Sequence, residues 1–280
     1  MRPLPAIVSV LLAVLVAGAC SSAKTAESTA APSATRPVTA DGEAAVARYR
    51  AFLTSQAELL VAETRRLAAA IQAGDVAAAK ARYSVARAPY ERIEPVAEMI
   101  DDLDAQIDAR EGDVPSDEWR GFHRIERELW TENDTAGLAP VADQLVAAAT
   151  ELQAGVQTVE LSPSLIADTA VDLLNDIGTN KVTGEENRYA RTDLFDAAAS
   201  LTGAQDALRA VTPMISDRAL VSDLHDTFAE VQAELGQYRR ADGYVAYTDL
   251  TVADTNELGT QVDALADAVS AVPAFVAVPS

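Results

Sequence analysis

The chain has 280 residues, with 43 acidic and 22 basic side chains, 49% hydrophobic residues and 5% aromatic residues. This hydrophobic content supports a large core and excludes disorder throughout, while the formal net charge of −21 argues against a nucleic-acid-binding role, which needs a basic surface. One cysteine and two histidines exclude an intramolecular disulfide framework and a cysteine-rich zinc or iron–sulfur site.

The first residues have the pattern of an export signal. An apolar run over residues 6–16 ends in small residues before Cys20 and is too short to span a bilayer comfortably. The stretch around Cys20 is similar to a lipobox, so we expect residues 1–19 to be removed and Cys20 to be lipidated. A plain signal peptide with an incidental cysteine is the alternative. Residues 20–42, rich in Ser, Thr, Ala and Pro, predict a flexible tether that holds the rest of the chain outside the cytoplasmic membrane.

From residue 43 onward, apolar residues recur at the spacing of amphipathic helices. Stripes of this kind begin at Val46, Leu138, Val221 and Leu258, and pairs of breaking residues separate the segments. No segment shows the alternation typical of strands. The sequence therefore predicts an all-α fold of two consecutive four-helix bundles, over residues 43–161 and 162–280, and one elongated bundle is the alternative.

An acidic stretch and a His–Glu pair supply candidate metal ligands. Glu91 and Glu94 are three residues apart and would share a helix face, and Asp108 follows in the same stretch. His123 and Glu126 have the same spacing, and an imidazole with a carboxylate on one helix can bind a metal. Like charges this close repel unless a cation or a proton lies between them. A solvated acidic face and a simple His–Glu hydrogen bond are the alternatives.

A third candidate segment contains Glu185 and Glu186. Thr183 can cap a following helix, with Glu186 at the capping-box position. This capping would explain Glu186 without a metal, so the two glutamates are candidate ligands beside a structural alternative.

Three separated motifs resemble the imelysin-like family, and within it the EfeO/EfeM group of bacterial iron-uptake proteins. They lie at residues 89–98 (PYERIEPVAE), 121–126 (GFHRIE) and 183–189 (TGEENRY), and residues 243–245 also fit. The resemblance covers roughly residue 43 to the end and implies an all-helical fold with two bundles. Because only the tether precedes this region, the chain is similar to the shorter EfeM form, which has no cupredoxin domain.

The resemblance implies an extracytoplasmic iron-binding component of an EfeUOB-type uptake system, working with a membrane permease and a haem peroxidase. We expect no enzymatic activity. The candidate ligands are His123, Glu126, Glu91, Glu94 and Asp108, with Glu185 and Glu186. Carboxylates with one imidazole suit ferrous or ferric iron and other hard or borderline cations. Two alternatives stay open: a metallopeptidase, since imelysin-like proteins have been grouped with peptidases, and a cation-bridged binder of an anionic polysaccharide.

Overall fold

Helices form nearly all of the regular structure in the computed structural model, which describes residues 39–241 and 243–277. The expected signal peptide, Cys20 and the tether up to residue 38 lie outside these residues. Within them, the all-α prediction is confirmed, and the strands form one two-residue hairpin, Arg239–Arg240 paired antiparallel with Gly243–Tyr244. Among the described helices, none combines the length and the apolar character that crossing a membrane requires.

The connections between successive helices differ in length, and some are long, as over residues 109–121 and 182–192. In the first half they are α1 (Ala40–Gln72), α2 (Val76–Glu91), α3 (Glu94–Ala97), α4 (Leu103–Asp108), α5 (Phe122–Arg127) and α6 (Ala139–Gly155). In the second half they are α7 (Pro163–Asp176), α8 (Asp193–Val211), α9 (Arg218–Gln237), α10 (Val252–Ser270) and α11 (Val272–Val276). A π-helical turn extends α5 over Glu128–Glu132, and another extends α7 over Ile177–Lys181.

The first helix begins three residues before the predicted start of the folded region. The Thr39 hydroxyl accepts a hydrogen bond from the backbone N–H of Gly42, so the helix has its N-terminal cap just ahead of Ala40. The predicted seven-residue stripe of Leu53, Leu60 and Leu67 is fully buried. Helix α1 packs against α2 and α6.

Contacts between helices also cross the predicted bundle boundary. In the second half, α7 packs against α8 and α10, and α9 packs against α10. Both α1 and α2 contact α8, so helices from the two halves share one core. The predicted break is present at Ser162, whose hydroxyl caps α7, while the division into two bundles there stays a prediction. The junction of α2 and α8 is where buried charged residues gather.

Candidate metal centre

A buried arginine, Arg87 of α2, lies at the centre of the polar cluster. Its guanidinium is fully buried and donates to four carboxylates: Glu91, Asp108, Glu186 (2.6 Å) and Asp196 (3.0 Å). Its Nη1 atom also lies 3.3 Å from Nε2 of His123. The guanidinium of Arg87 therefore supplies a positive charge next to acidic residues that we expected to repel one another.

A second buried cation, Lys181, ends the π-helical turn after α7. Its ammonium contacts Asp176 and lies 3.1 Å from Glu91, 3.5 Å from Glu94 and 3.9 Å from Glu186. Arg87 and Lys181 together contact six carboxylates, because they share Glu91 and Glu186. Acidic groups outnumber these two cations, so the remaining acidic groups need protons or a further cation beside them.

The predicted His–Glu pair on α5 is formed. Nδ1 of His123 lies 2.7 Å from one Glu126 oxygen, and the other Glu126 oxygen accepts the backbone N–H groups of Tyr189 and Ala190, each at 2.7 Å. Glu126 thus fixes the imidazole and ties α5 to the segment before α8. This hydrogen bond leaves Nε2 of His123 as the ring nitrogen that faces the cluster.

Three side chains meet at that nitrogen, and we call them the donor trio: Asp108, His123 and Glu186. Nε2 of His123 lies 3.6 Å from Asp108 and 3.5 Å from Glu186, and one donor atom from each residue lies within 4.8 Å of the others. Asp108 and Glu186 also line a cavity of about 260 Å³. The other acidic residues of its wall are Glu94, Glu98, Asp104, Asp113 and Asp176. The trio therefore adjoins an acidic opening.

A glycine brings two members of the trio together. Gly121, just before α5, has φ +83°, and a Cβ atom there would lie 2.3 Å from the carbonyl oxygen of Ile107. Only glycine permits both this backbone conformation and this close approach. The contact places the start of α5, with His123, against the end of α4, with Asp108.

Opposing effects set the charges of the donor trio. Burial and Arg87 lower the pKa of His123, but the nearby charge of Asp108 and the hydrogen bond to Glu126 outweigh them, so this pKa is well above its ordinary value. Burial raises the pKa of Asp108, yet Arg87 and His123 bring it below its ordinary value. Burial also raises the pKa of Glu186. Lys181, His123 and Arg87 lower it by more, so this pKa is well below its ordinary value. The trio thus combines two carboxylates with an imidazolium, which must lose a proton to bind a metal.

Glu91 and Glu94 do not share a helix face, and that prediction is wrong. Glu91 ends α2 and Glu94 begins α3, because Pro95 fits the first turn of a new helix. Both carboxylates instead meet at Lys181. Burial raises the pKa of each well above its ordinary value, although Lys181 acts in the opposite direction.

The capping role expected of Thr183 and Glu186 is also wrong. The Thr183 hydroxyl donates to the carbonyls of Thr179 and Asn180, and α8 begins only at Asp193. Glu186 is free to enter the cluster, whereas Glu185 is 63% exposed and lies 3.6 Å from Arg188. The structure therefore brings six of the seven candidate ligands to one buried region and leaves Glu185 at the surface.

Sequence reasoning missed Arg87, Lys181, Asp196 and Asn187, although these residues hold the cluster together. Asn187 donates to Asp196 through its side chain, and its backbone N–H donates to Asp193. The spacing of four between Arg87 and Glu91 was a usable signal, since such pairs face each other on a helix. Lys181 and Asp196 come from distant segments and carry no local signal of burial.

Comparison with known proteins identifies the family of this chain. The Imelysin family model (Peptidase_M75) matches residues 45–272, so the chain belongs to the imelysin family.

The resemblance to EfeO-type proteins is confirmed as well. The chain is 36% identical over 228 residues to "Iron uptake system component EfeO" of Yersinia pseudotuberculosis serotype I (strain IP32953). It is 37% identical over 229 residues to the protein of the same name from Escherichia coli O157:H7. These alignments cover 79% and 80% of this chain and 61% of each relative, so the chain spans about three fifths of their length.

Proposed function

We propose that this protein is the iron-binding component of an extracytoplasmic iron uptake system and presents iron to a membrane permease, alongside a haem peroxidase. The names of its EfeO relatives support a role in iron uptake. The observation that carries the proposal is the donor trio, two of whose members, Asp108 and Glu186, line an acidic cavity. One imidazole and two carboxylates suit ferrous or ferric iron, and the acidic wall would concentrate cations near them.

We assign different tasks to the candidate ligands. Asp108, Nε2 of His123 and Glu186 would bind the iron directly. Glu126 would orient the imidazole, since both of its oxygens already accept hydrogen bonds. Glu91 and Glu94 would act through Lys181, which they contact.

The same hydrogen bonds favour binding over peptide hydrolysis. A metallopeptidase needs a carboxylate that can take a proton from a metal-bound water. Glu126 is the acidic residue of the H-x-x-E motif. One of its oxygens is hydrogen-bonded to His123, and the other accepts hydrogen bonds from two backbone N–H groups. The second histidine, His225, is 81% exposed on α9 and belongs to no metal-ligand group of the described residues.

His123→Ala is expected to remove most of the iron-induced stabilisation. At an iron concentration one hundred times the wild-type Kd, mass action adds about 2.7 kcal/mol to the wild type. A hundredfold weaker Kd, expected for the loss of a direct ligand, would leave about 0.4 kcal/mol. Thermal unfolding of the purified protein with and without anaerobic Fe²⁺ measures this difference. His225→Ala is the matched control, because it removes an exposed imidazole, and its melting shift should equal that of the wild type.

The melting shift should also shrink as the pH falls. The pKa of His123 is raised, so iron must displace a proton from the imidazolium, and this displacement becomes less favourable as the proton concentration rises. An equal melting shift in wild type and His123→Ala would refute the proposed site. A wild type without any iron-induced shift would refute the proposed function.

We also propose that lipidated Cys20 anchors the protein to the cell membrane, as the lipobox-like sequence suggests. Wild type expressed with its own signal should fractionate with membranes, and Cys20→Ser should appear in the soluble extracytoplasmic fraction. Recovery of both forms in the same membrane fraction would count against the anchor, and the iron experiment would be unaffected.

A further inference from the structure

One guanidinium contacts every donor of the proposed iron site. Nη1 of Arg87 lies 3.3 Å from Nε2 of His123 and donates to Asp108, while Nη2 lies 2.6 Å from Oε1 of Glu186. A metal ion bonds such donors at about 2.0–2.6 Å. An ion and the guanidinium therefore cannot occupy the space between the same three donors.

We propose that Arg87 competes with iron for the donor trio: it compensates the two carboxylates of the trio when no ion is bound and withdraws when iron enters. This inference rests on the proposed function. Under it, Arg87 is a positioning residue that sets the affinity of the site, because each binding event must first displace the guanidinium.

The cluster offers a place for the displaced guanidinium. Nε of Arg87 already donates to Oδ2 of Asp196 at 3.0 Å. Within the described part of the chain, the other Asp196 oxygen and the Asn187 side-chain oxygen are buried and have no hydrogen-bond partner. A guanidinium carries five N–H groups. A small rotation away from His123 could thus exchange contacts with the trio for contacts with these two acceptors.

The exchange also accounts for the charge of the site in both states. Glu91 and Asp196 contact Arg87 without belonging to the donor trio, so a withdrawn guanidinium still has carboxylate partners. The buried acids then stay compensated whether iron is bound or released. A competing internal cation lowers the apparent affinity and favours release of the ion to a partner.

Arg87→Lys is the main test, because it keeps the positive charge. The ammonium of a lysine can contact Glu91 and Asp196, but it cannot contact all three donors of the trio as the planar guanidinium does. Anaerobic Fe²⁺ titration of the full chain against a competing chelator should give a Kd at least about tenfold tighter than that of the wild type. Since the charge is unchanged, a general electrostatic effect would not produce this result.

Arg110→Lys is the matched control. Arg110 lines the same cavity and lies 3.5 Å from Glu186, but among the described residues it contacts neither of the other two donors. The Kd of the Arg110→Lys variant for Fe²⁺ should stay within about threefold of the wild-type Kd. Similar changes in Arg87→Lys and Arg110→Lys would overturn the inference.

The remaining outcomes separate the two proposals. Wild-type binding with an unchanged or weaker Kd in Arg87→Lys would overturn the competition and leave the iron site standing. A wild type that binds no Fe²⁺ would overturn both. If Arg87→Lys fails to fold, a crystal structure of the iron-loaded wild type decides: a guanidinium still within 3.5 Å of Nε2 of His123 refutes the inference, and one moved to Asp196 supports it.

Discussion

Lys181→Met is expected to lower the free energy of unfolding by about 3–5 kcal/mol, a large part of the total stability of a typical domain. Methionine keeps most of the length of the side chain and removes only the charge. Glu91 and Glu94 would then stay buried without the ammonium that each contacts. Chemical denaturation of the purified variant and wild type measures the loss.

The loss should be smaller at pH 5.5 than at pH 8. Burial raises the pKa of Glu91 and Glu94 above their ordinary values, and removal of Lys181 raises them further because its opposing effect is gone. A carboxyl group with a raised folded-state pKa binds more protons when folded than when unfolded, so its folded form gains stability as pH falls. The variant should therefore approach the wild type on acidification.

Lys80→Met provides the control for this substitution. The Lys80 ammonium lies 2.7 Å from Oδ1 of Asn133 and 5.4 Å from the ring centroid of Trp130, at the edge of the fold. Removal of the Lys80 ammonium should lower the free energy of unfolding by no more than about 1 kcal/mol. A loss at Lys181 as small as that at Lys80, at both pH values, would contradict the importance assigned to the buried charge.

Gly121→Ala is expected to cost about 3 kcal/mol or more and to weaken iron binding as well. Part of the cost, about 1–3 kcal/mol, comes from a Cβ atom at φ +83° and ψ −163°, a backbone conformation that essentially only glycine adopts. Another 1–3 kcal/mol or so comes from overlap with the backbone of Ile107, which has no flexible side chain to move away. Relief of this overlap would separate His123 from Asp108. Denaturation and Fe²⁺ titration of the same preparation measure both effects.

Gly137→Ala is the control for a Cβ atom at positive φ without an overlap. Gly137 has φ +77°, close to that of Gly121, but an added Cβ atom there would meet nothing within 4 Å. Only the conformational cost of about 1–2 kcal/mol should appear, with iron affinity unchanged. Equal losses in the two variants would show that the contact with Ile107 does not matter.

The sequence predicted the helices better than the polar interior. The stripe of Leu53, Leu60 and Leu67 is fully buried, because hydrophobic periodicity directly reflects which face of a helix packs. The pairing of His123 with Glu126 was also predictable, since both residues lie on one helix at a fixed spacing.

The partners of that pair were harder to predict, because they depend on long-range packing. Arginine and lysine are rarely buried without partners, so the sequence gave no reason to predict that Arg87 and Lys181 are buried. Their burial depends on contacts with carboxylates up to 109 residues away along the chain, as between Arg87 and Asp196. The expectation that acidic groups need a cation was sound, but local spacing could not show that two such cations belong to the chain itself.

The π-helical turn at Ile177–Lys181 makes the cluster sensitive to the length of the chain. The backbone N–H of Val182 bonds the carbonyl of Ile177, five residues back, instead of the four of an α-helix. Such a turn accommodates one additional residue in an otherwise regular helix, and each residue added or removed rotates the C-terminal part of the helix by about 100°. The side chain of Lys181 therefore reaches Glu91 only because the π-helical turn contains this one additional residue. Deletions in this turn are constrained by the ion cluster, even though Thr179 within it is exposed to solvent.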